Sequence, residues 1–165
     1  MQNKKIDFSK INFILMDIDG VLTDGSLIYT DSGDILKVFS VYDGHGIVRG
    51  RQLGLKFGAI SGKENRSNKH RAERLKLDEL YQNCDDKVAA FEEIKTKYDL
   101  KDENFCFIGD DVFDLPLLRK VAFSCAPPNA LQEVKNQVDY VTNIEGGKGA
   151  VREVIDFILR EKKLI

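Results

Sequence analysis

The sequence predicts an open, doubly wound α/β fold whose sheet is mainly parallel and Rossmann-like, with a β-hairpin inserted after the first strand. Three features predict it. Short apolar runs rich in β-branched and aromatic residues alternate with longer stretches whose apolar positions recur every three or four residues, the pattern of parallel strands joined by crossover helices. Two of the runs end on clustered aspartates, as strands do where they deliver side chains to one edge of a sheet. One pair of strand-like runs is separated only by a turn composition.

Taken in chain order, strands are predicted at 11–17, 56–60, 79–81, 104–108, 122–124 and 140–141. Helices are predicted at 44–53, 63–75, 86–98, 111–120, 129–134 and 147–161. Val88, Phe91 and Ile94, and likewise Val151, Val154, Ile155 and Ile158, fall on one helical face. The runs 26–30 and 35–40 flank Asp31, Ser32, Gly33 and Asp34, which reads as a hairpin turn and makes 26–40 a flap at the carboxyl edge of the sheet. No internal repeat, low-complexity tract or Pro-rich linker divides the chain, and Pro116, Pro127 and Pro128 fall in a helix's first turn and a loop. Residues 1–165 are expected to form one domain.

The chain has 165 residues, 42% of them hydrophobic, enough to bury roughly 70% of the surface its unfolded form exposes without a disulfide or structural metal. Twenty-five Lys and Arg against 27 Asp and Glu leave a net charge of −2, so the basic excess of a nucleic-acid binder is absent. Cys84, Cys106 and Cys125 show neither C-x-x-C nor C-x-x-H spacing and are expected to be reduced thiols of a cytoplasmic protein. No apolar run reaches the length of a membrane span, and no secretory cleavage pattern is seen, so neither nucleic acid nor membrane is expected as a partner. His45 near the site and His70 on a helix lack the neighbours of a metal site.

The first strand closes on Asp17-Ile18-Asp19-Gly20. If the chain stays extended, Asp17 and Asp19 point to one side. Two such carboxylates repel unless a cation or a shared proton intervenes; an acidic turn is the plain alternative, and this segment alone does not choose. A second apolar run, 105–108, closes on Gly109-Asp110-Asp111 with Asp114 a turn later. One of these carboxylates could cap the next helix, but three are more than a cap needs, and two acidic strand tips on one edge favour a composite site for a hard, oxygen-liganded cation such as Mg²⁺. Lys87 at a helix start and Ser61-Gly62-Lys63 at another strand tip would compensate an anionic substrate. Together these groups make a set for phosphoryl transfer: a carboxylate nucleophile, a metal, a positive clamp and hydrogen-bond donors.

In this order, Asp17-Ile18-Asp19-Gly20-Val21, Ser61, Lys87 and Gly109-Asp110-Asp111-x-x-Asp114 resemble the four motifs of the haloacid dehalogenase superfamily, and the lack of room for a cap domain resembles its capless subclass. The resemblance implies that Asp17 is the nucleophile and Asp19 the general acid and base, that Ser61 and Lys87 hold the phosphoryl group, that Asp17, Asp110 and the Asp19 carbonyl hold Mg²⁺, and that Asp111 and Asp114 support them. The hairpin, the 41–46 loop and the tail 146–153 resemble the members acting on eight-carbon keto-acid sugar phosphates. On that likeness a small phosphorylated acid sugar would meet Asp19, Ser40, Asp43, Gly44, Lys63, Arg71 and Lys87, and the protein would be a homotetramer. Tyr42, Val48 and Lys63 stand where those members carry arginines, which leaves a nine-carbon keto-acid phosphate as the alternative substrate. Two rivals are a noncatalytic assembly domain, against which the retained Asp17 and Asp19 argue, and a receiver domain, whose acceptor aspartate would sit on a middle strand rather than the first.

Overall fold

The computed structural model describes residues 5–165, so residues 1–4 of the expected domain lie outside it. In chain order it contains β1 (Phe13–Met16), β2 (Ile28–Tyr29), β3 (Ile35–Leu36), α1 (Val41–Gln52), β4 (Lys56–Ile60), α2 (Arg66–Leu75), β5 (Glu79–Tyr81), α3 (Lys87–Tyr98), β6 (Phe105–Ile108), α4 (Leu115–Leu118), β7 (Phe123–Ala126), α5 (Gln132–Lys135), β8 (Tyr140–Val141) and α6 (Ala150–Glu161). Six strands form one parallel sheet in the order β5-β4-β1-β6-β7-β8, and β2 and β3 pair antiparallel by themselves. The predicted fold class is the observed one.

β1 is the switch point. Its four residues are apolar and buried, as a strand covered on both faces requires, and period-two alternation divides them between two cores. Ile14 and Met16 pack with Ile47 of α1 and Val151, Val154, Ile155 and Ile158 of α6. Phe13 and Leu15 face Phe91 and Ile94 of α3 and Leu117 and Leu118 of α4. Each such fully buried side chain contributes about 1.5–3 kcal/mol, so the register of β1 is strongly fixed. That register aligns Met16 with Ala59 of β4 and with Ile108 of β6, bringing the tips of three strands to one level of the carboxyl edge. No helix among the described residues is long and apolar enough to cross a membrane.

Several boundaries differ from expectation for local reasons. β1 stops at Met16, and the carbonyl of Ile18 then accepts from the N–H groups of Val21, Leu22 and Thr23, so Asp19 sits in a tight turn rather than on a continued strand. α1 begins three residues early because the Ser40 hydroxyl accepts from the N–H groups of Tyr42 and Asp43. α2 begins at Arg66, capped by the Asn65 side chain, which leaves Lys63 in the preceding loop instead of on the helix. The predicted 111–120 helix is a 3-10 turn over Val112–Asp114 followed by the one-turn α4, and the hairpin strands shrink to two residues each.

Candidate active site

The carboxyl edge opens into a cleft of about 490 Å³ lined by Asp17, Asp19, Ser61, Lys63, Lys87, Asp110 and Asp111, with Gly20, Gly25, Gly62, Cys84, Asp85 and Phe113 completing the wall. Asp17 follows β1 directly: its backbone N–H still donates to Ile108 of β6, its Oδ1 accepts from the Ile18 N–H at 2.6 Å, and its Oδ2 lies 2.7 Å from the Lys87 ammonium. The expected shared face of Asp17 and Asp19 does not arise from strand alternation, because the strand has ended. The turn itself brings both carboxylates to the cleft. Asp19 faces Lys37 of the hairpin, whose Nζ is 2.6 Å from Oδ1.

Lys87 is the first residue of α3, where the Asp86 side chain caps the Val88 and Ala89 N–H groups and so fixes the direction in which Lys87 leaves the helix. Its buried ammonium bridges Asp17 and, at 2.5 Å, Asp114 Oδ1. Asp114 Oδ2 accepts the N–H groups of Asp110 and Asp111 at 2.9 and 3.2 Å, so both oxygens of this buried carboxylate are engaged in holding the lysine and the strand tip. Gly109 is needed here because a Cβ would come within 2.6 Å of the Asp114 Cβ; close approach, rather than an unusual backbone angle, is what demands glycine. Asp111 caps the 3-10 turn through the Phe113 N–H.

Charge at this tip is poorly balanced. Asp17, Asp110 and Asp114 offer carboxylate oxygens all within 4.8 Å of one another, facing one buried lysine. Burial, with Asp114 adding to it against the pull of Lys87, pushes the Asp17 carboxyl up to about 6. Burial and the Asp17 and Asp114 charges push Asp110 up to about 8. Burial opposes the charge on Lys87, but the two facing carboxylates hold it above the usual lysine range. Asp110 Oδ1 is buried without a hydrogen-bond partner. Gly20, at φ +83°, supplies a backbone that side chains rarely adopt and also the room for the Asp110 carboxylate, which a Cβ would strike. An unpartnered buried oxygen, an excess of carboxylates and hard oxygen donors fit a divalent cation such as Mg²⁺. Asp114 has no oxygen to spare for it.

Ser61 is buried at the end of β4, its hydroxyl donating to the Lys63 carbonyl at 3.1 Å, and Lys63 lines the cleft from the loop before α2. Ser40, Asp43, Gly44 and Arg71 do not line it in this chain. Ser40 is occupied as the α1 cap, and its carbonyl accepts from Arg71 Nη2 at 2.7 Å while the guanidinium stacks 5.5 Å from the Phe39 ring. Gly44 lies under that guanidinium. The Asp43 carboxylate is buried against the start of α6, accepting the Arg152 N–H at 2.9 Å; burial pushes it up to about 6 against the pull of that bond and of Arg71. Asp43 thus caps α6 from a distance, where Gly149 offers no side chain to do so. The expected common face of Lys63 and Arg71 on one helix is corrected accordingly.

Three contributors escape the sequence reading. Asn129 donates to the Gly20 carbonyl at 2.8 Å and accepts the Gly146 N–H at 2.8 Å, tying the turn after β1 to the loop before α6. Phe113 stands 78% exposed at the rim of the cleft. Lys37 is the third, and only its place in an apolar run, Ile35-Leu36-Lys37-Val38-Phe39, could have marked it.

The model of the haloacid dehalogenase-like hydrolase family matches residues 59–155. The chain belongs to the haloacid dehalogenase-like hydrolases. Among curated proteins this haloacid dehalogenase-like chain is 37% identical, over 90% of its length and 79% of the relative's, to 3-deoxy-D-manno-octulosonate 8-phosphate phosphatase of Escherichia coli strain K12. Among solved structures it is similar to the 3-deoxy-D-manno-octulosonate 8-phosphate phosphatase of Moraxella catarrhalis in complex with magnesium, phosphate and KDO, with a TM-score of 0.91 and 34% identity over 94% of this chain and 90% of that one. The cobalt-bound deoxy-D-mannose-octulosonate 8-phosphate phosphatase of Haemophilus influenzae gives the same score and identity over 94% and 91%.

Proposed function

We propose that the protein is a Mg²⁺-dependent phosphomonoesterase that hydrolyses 3-deoxy-D-manno-octulosonate 8-phosphate to the free sugar acid and phosphate, a step of lipopolysaccharide precursor synthesis. The observation that carries the chemistry is the pairing of Asp17 with Lys87 at 2.7 Å beside the unpartnered Asp110 oxygen; the relatives' substrate supports the choice of sugar. Asp17, Asp110 and the Asp19 carbonyl would hold the metal, which when bound supplies positive charge to the phosphoryl oxygens and to the carboxylates.

The Asp17 carboxylate forms a bond to phosphorus as the bond from phosphorus to the sugar oxygen breaks, giving an aspartyl-phosphate. Asp19 gives its proton to the departing sugar oxygen. The resulting Asp19 carboxylate then takes a proton from water, whose oxygen bonds phosphorus as the Asp17–phosphorus bond breaks, releasing phosphate and restoring both aspartates. Lys87 favours ionised Asp17 and offsets the charge of the bound phosphoryl group, to which the Ser61 hydroxyl donates. Lys63, on the cleft wall, meets the substrate carboxylate.

A single capless domain carries this activity in the cytoplasm, where the three thiols stay reduced, and it assembles as a homotetramer through the hairpin. The nine-carbon keto-acid phosphates remain the second reading, favoured by Lys63 standing where a planar guanidinium would grip a carboxylate. The test compares kcat/KM for eight- and nine-carbon keto-acid phosphates with and without Mg²⁺, alongside Asp17→Asn. Preference for the eight-carbon substrate, dependence on the metal and a loss of roughly 10⁴-fold or more in the variant are expected. Near-normal turnover by Asp17→Asn would remove the proposed nucleophile.

A further inference from the structure

The hairpin inverts the usual alternation of a surface strand. Leu36 is 51% exposed and Val38 67%, while the Lys37 side chain between them is 2% exposed. Burying an ammonium while its apolar neighbours face outward is unfavourable unless an anion meets it. That anion is Asp19: Lys37 Nζ donates to Oδ2 at 2.9 Å and lies 2.6 Å from Oδ1 as an ion-pair contact, while Oδ1 is buried and accepts no hydrogen bond. The Asp19 side chain is 32% exposed and sits in the tight turn after β1, with Lys37 its ion-pair partner. The hairpin is in turn anchored to the body at 3.5 Å by the Ser67 hydroxyl of α2, which donates to the Ile35 carbonyl.

We propose that Lys37 is a positioning residue for the reaction: the hairpin delivers a buried ammonium that holds the Asp19 carboxyl group at the place from which, in its protonated form, it meets the leaving oxygen. This rests on the assignment of Asp19 as general acid. The hairpin is then tied to the catalytic machinery, because the same segment exposes Leu36 and Val38 and buries Lys37 against Asp19. A displacement of a catalytic group by about 1 Å can lower turnover by as much as about 100-fold, which sets the scale of the effect.

The test uses Lys37→Met, Lys37→Arg and Asp19→Asn, alone and combined, on a sugar phosphate with a poor alkoxide leaving group and on p-nitrophenyl phosphate, whose phenolate leaves with little help. Lys37→Met is expected to lower kcat for the sugar phosphate by about 10- to 100-fold with a much smaller change for the aryl ester, to leave KM for both nearly unchanged, and to add nothing in the Asp19→Asn background. Lys37→Arg, which keeps the charge and the fold, should recover part of the loss. Equal losses on both substrates, or a loss that multiplies with that of Asp19→Asn, would overturn the positioning role. If Asp19→Asn itself shows no leaving-group dependence, the acid assignment fails instead, and the two failures are distinguishable.

Discussion

The Asp114 carboxylate and the Lys87 ammonium meet 2.5 Å apart in a place solvent does not reach. Asp114 Oδ2 also holds the N–H groups of Asp110 and Asp111, so the pair sets both the lysine and the strand tip. Asp114→Ala leaves a buried ammonium with one partner fewer and two N–H groups with none. Removing one member of a buried pair costs about 3–5 kcal/mol, which for a chain of this size lowers Tm by roughly 10 °C. Asp114→Asn, which retains an acceptor, should lose less. A Tm unchanged in Asp114→Ala by calorimetry would show that the pair is not a structural keystone of the tip.

Without a cation, the site titrates against the fold. Asp17 and Asp110, pushed up to about 6 and about 8, bind protons more tightly folded than unfolded, where carboxyls titrate near about 4. The folded state therefore holds more protons between about pH 4 and 8, and stability falls as pH rises through that window. Mg²⁺ takes the place of those protons, so its stabilising effect should grow from pH 5.5 to pH 8. At a metal concentration about 100 times Kd the gain is about 2.7 kcal/mol, or roughly 5–10 °C in Tm. Asp43, also raised to about 6 but not among the residues lining the cleft, leaves a residual pH dependence that Mg²⁺ does not remove. Equal Mg²⁺ shifts at both pH values, read by thermal denaturation, would contradict this account.

The alternation of buried runs and helical periods made the parallel sheet and its order of elements readable, because both signals are set by which faces each segment buries. The acidic tips were readable only as a pair: one apolar strand ending on aspartates reads as well as an acidic turn, but two ending on one edge of a sheet favour a shared cation. What the sequence hid was long-range capping. Ser40, Asp43 and Arg71 have the residue types of a ligand site, yet here they hold α1 against α2 and α6, and nothing local distinguishes a carboxylate that caps a helix a hundred residues away from one that meets substrate. The start of α2 moved for a nearer reason. Asn65 outcompetes Lys63 as a helix opener, because its side chain accepts the Ser67 N–H at 2.7 Å. Lys37 carried no motif of its own, and its partner Asp19 lies 18 residues away across the turn and the hairpin, a pairing that no local signal shows.

The hairpin also leaves apolar side chains uncovered: Leu27, Ile28, Tyr29, Leu36 and Val38 are all exposed on it. Exposed apolar side chains gathered on one hairpin suit an association surface, which the proposed homotetramer would cover. Sedimentation at micromolar concentration should give a tetramer, and placing aspartates at Ile28 and Val38 should shift it toward monomer. A wild-type monomer with full activity would exclude the assembly from function.

Lys63 and Arg71 separate two explanations of specificity. Lys63 lines the cleft from a loop and, unlike Lys37 and Lys87, makes no ion pair among the described residues. Arg71 is committed elsewhere, donating to the Ser40 carbonyl at 2.7 Å and stacking on Phe39. Lys63→Ala should therefore raise KM for the acid sugar phosphate about 10-fold or more while changing KM for p-nitrophenyl phosphate, which has no carboxylate, far less; loss of one charge-assisted contact of about 1.5–3 kcal/mol is of that size. Arg71→Ala should instead lower Tm and leave the ratio of the two KM values unchanged, since it loosens α1 from α2 without touching the cleft. An Arg71→Ala enzyme with normal Tm and a selectively raised KM for the acid sugar would reverse the assignment and make Arg71, rather than Lys63, the group that meets the carboxylate.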